Sequence, residues 1–158
     1  ILAHDEKLED LLDTNDGTLA LIILLDQFPR NIYRNTFRAY SNDDKTVEIV
    51  KDKLNIHNNF FDFSFLNGLN NEMIMFFLMP LMHSESISDK NILDNLLIYL
   101  QNNSKNKDDT FPMMKDYNIK HKEVLEKFGR YPKRNNSCGR KSTLKEIKYI
   151  YKTKGRPF

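Results

Sequence analysis

Leu19-Ala20-Leu21-Ile22-Ile23-Leu24-Leu25-Asp26-Gln27-Phe28-Pro29-Arg30-Asn31 is the stretch on which the fold turns. Its seven leading apolar residues leave no polar face. With Thr18 ahead as an N-cap and Pro29 behind as a stop, they predict a helix over residues 18–27, buried all round at the centre of a domain. Asp26 closes the apolar run and is expected to be partly buried, so it needs a partner. Arg30, four residues on, has helical spacing to reach it. About a hundred residues later the ending recurs as Tyr131-Pro132-Lys133-Arg134-Asn135, with Arg34, Arg38, Arg130 and Arg140 near the two copies. An aromatic, a helix-breaking proline, an arginine and an asparagine predict two corners whose guanidinium and amide groups satisfy freed carbonyls or hold an anion.

Working outward, the pattern predicts an all-α domain of about six or seven helices and no strand. Leu8, Leu11 and Leu12 mark a short helix over residues 4–13, which Asn15-Asp16-Gly17 ends. Residues 32–40 are an irregular connection, and 41–44 are N-capping residues ahead of Val47, Val50 and Leu54. Phe60, Phe61, Phe63 and Phe65 pack on the core. Asn70 or Asn71 opens a Met-rich helix that Pro80 kinks or ends, and those methionines read as core filler. Ser88 caps a helix over 89–101. Residues 101–109 form a polar, inserted or disordered loop. A helix from about 114 to 127 stops at Gly129. Thr143-x-x-Glu146 is a capping box for a last helix that carries Leu144, Ile147 and Tyr151, and helical spacing places Tyr151 toward the core.

With 158 residues, 40% apolar and 29% charged, the chain suits one helical domain, and 5 Gly with 5 Pro disfavour a turn-rich β architecture. The single Cys138 excludes an intrachain disulfide and points to a reducing, intracellular compartment, cytoplasmic or mitochondrial. No apolar stretch is long enough to span a membrane. The net charge of +2 conceals 14 Lys+Arg against 4 Asp+Glu from residue 113 onward, whereas residues 1–112 are strongly acidic. Either the halves attract each other, or the basic third meets an anionic partner.

The blocks 19–31, Leu81-Met82-His83-Ser84-Glu85, residues 128–135 and Gly139-Arg140-Lys141-Ser142-Thr143 occur in a shared order. In them the chain resembles the bacterial "domain of unknown function 924" family over residues 11–149. The resemblance implies an all-helical fold, a bundle or stacked helix pairs similar to tetratricopeptide repeats, and no assigned activity. It also implies an upstream helical segment that is expected before Ile1. Against the family pattern, Lys133 replaces a histidine, Cys138 an apolar residue, and Lys141 and Lys145 acidic ones.

Two functions follow as expectations. In one, a helical scaffold module docks on RNA or an acidic protein through Lys133, Lys141, Lys145, Lys148, Lys152 and Lys154, as an accessory subunit of a larger organellar assembly. That reading requires an outward lysine patch with no deep pocket beneath. In the other, an enzyme or binding protein holds a small anionic ligand in a concave site where Arg30, His83 and Arg134 converge. Its candidate catalytic groups are Asp26, His83 and His121. Arg30, Asn31, Arg34, Arg38, Arg130, Tyr131, Arg134, Asn135 and Arg140 are the anion- or partner-binding candidates. Ser84 and Glu85 beside His83 make no triad, because sequence neighbours cannot face one another. No His-x3-His or HExxH spacing occurs, so neither metal nor cofactor is expected.

Overall fold

A computed structural model of the chain describes residues 8–56, 61–103 and 108–154. Residues 4–7 of the expected first helix, Phe60 and residues 104–107 of the polar stretch lie outside the described residues. The regular secondary structure of the described residues is all helical, with no strand among them. After a 3-10 turn at Glu9–Asp13 come α1 (Asn15–Ile22), α2 (Phe28–Ile32), α3 (Asp43–Lys53), α4 (Asn71–His83), α5 (Ile87–Asn103), α6 (Thr110–Phe128) and α7 (Leu144–Lys152). None is long and apolar enough to cross a membrane.

Residues 15–17 begin α1 rather than ending the helix before it. Thr14, not Thr18, is the cap, and its side chain accepts from Gly17 N. Gly17 is there because the preceding turn presses against it: a Cβ would lie 2.3 Å from the Leu11 carbonyl oxygen. Pro29 does not stop the chain's helical course either. A π turn at Ile23–Gln27 widens the ladder so that Phe28 N–H reaches Ile23 O, and Pro29 falls in the first turn of α2, where a missing N–H costs least.

The centre of the bundle is α4 and not the 19–25 run. It packs against α1, α3, α5 and α6, and its Phe77, Leu78 and Leu81 are 0% exposed. Leu21, Ile22 and Leu25 are buried against it, while Ala20 is exposed. The result is an all-α arrangement packed around α4. Pro80 sits inside α4, which continues to His83, and Asn70 is its N-cap. The fully buried Lys90 then caps α4 at the other end, donating to Leu81 O and Ser84 O at 2.6 and 2.7 Å. Ser86 rather than Ser88 accepts from the first turn of α5, at Asp89 N. Gly129 closes α6 at φ 70°, and the Thr143–Glu146 capping box opens α7. Contrary to the core position expected of Tyr151, it points to solvent, as do Leu144 and Ile147.

Gly17→Ala should destabilise the fold by about 1–3 kcal/mol, because the Leu11 carbonyl is backbone and yields only with the turn. Urea unfolding measures this, and an unchanged midpoint would show that the approach is not tight.

Candidate functional site

The π turn and α2 aim Asp26 and Arg30 at the end of α4. Asp26 is 1% exposed and sits 2.9 Å from Arg30 Nη2 and 2.9 Å from His83 Nδ1. Gln27 Nε2 donates to its other oxygen. Arg30 Nη2 also donates to Asp43 Oδ1 at 2.8 Å. Asp43, the first residue of α3, takes Arg134 Nη1 on its second oxygen at 2.9 Å. Arg134 Nη2 donates to His83 O at 2.8 Å, and its guanidinium lies 4.6 Å from the ring centres of both Tyr40 and Tyr131. The two proline corners thus meet through the chain Asp26–Arg30–Asp43–Arg134.

Burial opposes ionisation of Asp26, but His83 and then Arg30 outweigh it and bring its pKa down to about 2. For His83 burial dominates and lowers the pKa in spite of Asp26, helped by Arg30 and Arg134. A neutral imidazole 2.9 Å from a carboxylate carries its proton on Nδ1, where it donates to Asp26. The approach of Arg30 Nε to the same nitrogen, at 3.2 Å, is then two donors sharing one carboxylate. This tautomer leaves the Nε2 lone pair as the free polar atom of the ring. His121 is held neutral in the same way: burial lowers its pKa to about 4, and Nδ1 donates to Tyr117 O at 2.8 Å.

His83 and His121 line one cavity of about 420 Å³. The first corner contributes Arg30, Arg34, Ala39 and Tyr40; the second contributes Tyr131, Pro132, Lys133 and Arg134. Met75, Met79 and Met82 come from α4, Met113, Met114, Tyr117 and Val124 from α6, and Tyr149 from α7. Five of the chain's 6 methionines therefore line it. Those of α4 read as filler in the sequence because helical spacing shows a shared face without showing what the face borders. Met75, Met79, Met82 and His83 recur at the spacing of one helix face, which was the available signal.

The remaining sequence candidates lie elsewhere. Asn31 donates back to Gln27 O at 2.9 Å, and Arg38 lies 5.7 Å from the Tyr33 ring centre. Arg130 grips Glu146, Nε to Oε1 at 2.7 Å, which with Thr143 N holds that carboxyl well below its usual pKa. Arg140 grips Glu85, which also accepts from Tyr131 N at 2.6 Å. Asn135 is buried and donates to Ser142 at 3.0 Å. These are clasps that shape the second corner. Lys133 spans back to Thr153 O at 3.0 Å, whereas Lys141, Lys145, Lys148, Lys152 and Lys154 are exposed. Asp43 was missed. It stands in a run of capping residues, and only the folded chain brings Arg134 to it. Among the described residues no His/Cys/Asp/Glu cluster could hold a metal.

The chain belongs to the family described as "Bacterial protein of unknown function (DUF924)", whose pattern it matches over residues 2–154. It is also similar to a solved structure, the protein of unknown function ATU0120 from Agrobacterium tumefaciens. The two are 26% identical with a TM-score of 0.75, over 96% of this chain and 76% of that one. No curated relative matches.

Asp26→Ala should cost about 3–5 kcal/mol, since it strands Arg30 in the interior. Asp26→Asn should cost clearly less, because an amide oxygen still accepts. Equal melting temperatures for wild type and Asp26→Ala would refute the pairing. Nitrogen chemical shifts of His83 at neutral pH should show a protonated Nδ1 and a bare Nε2; the opposite tautomer would overturn the assignment.

Acid should act in two windows. Between the ordinary histidine value of 6.5 and about 4 the unfolded chain takes up a proton that folded His121 refuses, so stability falls as pH falls. Below the ordinary aspartate value of 3.8 and down to about 2, protonation removes what the Asp26 carboxylate contributes. His121→Gln should shrink the first window in pH-dependent unfolding to the part that His83, whose pKa is also lowered, contributes, and leave the second.

Proposed function

We infer that this protein binds a small amphipathic anion in the cavity between its two proline corners, with Asp26 and His83 as a proton-accepting pair. The observation that carries the reading is a buried carboxylate orienting a neutral histidine that lines a cavity. A carboxylate on Nδ1–H fixes the tautomer and raises the affinity of Nε2 for a proton, which suits removal of a proton from a bound hydroxyl or water. Methionine and tyrosine walls supply an adaptable apolar body site.

The anionic end of the ligand is assigned to the rim. Arg30 and Arg134 already direct guanidinium donors to Asp26, Asp43 and two carbonyls, so they build the floor. Arg34 forms no ion pair among the described residues and lines the cavity beside Lys133, so it is the cation to meet a carboxylate or phosphate. The scaffold reading, in which the basic third docks on RNA or an acidic protein, required no deep pocket beneath the lysines. Lys133 and Tyr149 line one, and the pocket reading is therefore favoured.

Anilinonaphthalene sulfonate is a suitable probe, being aromatic, anionic and fluorescent only when shielded from water. It should bind saturably at one site. Met79→Trp, which fills the cavity, should abolish the signal, and Arg34→Glu should weaken binding about tenfold, a change of about 1.4 kcal/mol. Cooperative melting of each variant excludes dye uptake by an expanded state. Absence of saturable binding, or equal binding by both variants, would sink the reading.

A further inference from the structure

The last helix is turned inside out. α7 packs with Glu146 buried and Tyr149 against Phe128, ring centres 5.0 Å apart. On its other side Leu144, Ile147 and Tyr151 are 78, 51 and 82% exposed. At one hundred degrees per residue these three form one narrow stripe. Lys145, Lys148 and Lys152 run alongside it on the outward side, with Lys141 before the helix and Lys154 after it, all exposed. None of the five forms an ion pair among the described residues, and the one acid of the helix, Glu146, is turned inward to Arg130.

We propose that α7 docks this protein reversibly onto anionic phospholipid bilayers. An apolar stripe flanked by unneutralised lysines matches a surface that is anionic outside and hydrocarbon just beneath. Leu144 and Ile147 enter the acyl boundary, Tyr151 takes the interfacial position that suits a ring with a polar tip, and the lysine stems reach the headgroups. RNA offers the lysines phosphates but gives Leu144 and Ile147 nothing to bury against. Three apolar side chains on a nine-residue helix make the attachment weak and salt-dependent. The proposal rests on α7 alone and does not require the cavity to bind anything.

The 158-residue chain is sedimented with vesicles of phosphatidylcholine mixed with phosphatidylglycerol, and with vesicles of phosphatidylcholine alone. It should pellet with the mixed vesicles and stay in solution with the neutral ones. Lys145→Ser, Lys148→Ser and Lys152→Ser should each weaken partitioning about fivefold at low salt, less as salt rises. Leu144→Ser with Ile147→Ser should weaken it at every salt concentration. All five side chains are exposed, so circular dichroism should show the fold unchanged. Failure to pellet with anionic vesicles overturns the proposal, as does pelleting that these variants leave intact. So does self-association or single-stranded RNA binding lost in the Leu144/Ile147 variant while vesicle binding persists.

Discussion

A buried carboxylate sets the terms for the rest of the molecule. Asp26 is ionised and almost wholly enclosed, and an unpaired charge in that position is costly enough to unfold a domain of this size. Its partner Arg30 is itself enclosed and needs more acceptors than Asp26 offers. Asp43 supplies one, and its second oxygen then requires a cation, which is Arg134. Each charge recruits the next until the start of α3 and the second proline corner are tied to the first. The rings of Tyr40 and Tyr131 each lie 4.6 Å from the Arg134 guanidinium, a planar cation suited to aromatic faces.

The charge asymmetry of the chain divides along the same chemical line. Arginines of the basic third turn inward to acids of the acidic part: Arg134 to Asp43, and Arg140 to Glu85. Lysines of the same third stay outside on and around α7. Attraction between the halves and a cationic surface are therefore both present: the arginines, joined by Lys122 on Asp94, carry the first, and the exposed lysines of α7 the second. Arginine gives directional bonds in a fixed plane, which suits a buried clasp, and lysine gives a flexible point charge, which suits a solvated face.

Much of this was legible in the residues. The repeated theme of an aromatic, a proline, an arginine and an asparagine located the two corners, the apolar run ahead of Asp26 announced its burial, and Thr143 with Glu146 announced the start of α7. Local rules failed where tertiary contact decided the outcome. Gly17 looks like a turn residue until the backbone of the preceding turn is seen against it. Pro29 looks like a stop until the π turn absorbs it. Lys90 has the composition of a solvated face, and only the fold shows it serving as the cap of α4. For α7 the period of the apolar residues was right and the direction wrong: spacing says which side chains share a face, and packing says which way that face looks.

The site joins two mechanical characters that rarely coincide by chance. Its floor is an ionic chain in which each member is held by at least two others, so Asp26 and His83 have little freedom to move. Its walls are five unbranched methionines, the most adaptable of the apolar side chains. A purely structural clasp would be better served by branched residues packed to full density, because thioethers specify a core poorly. A rigid base under a compliant enclosure suits the proton transfer proposed above. On that proposal the His83 ring keeps its place while the methionines adapt to the ligand.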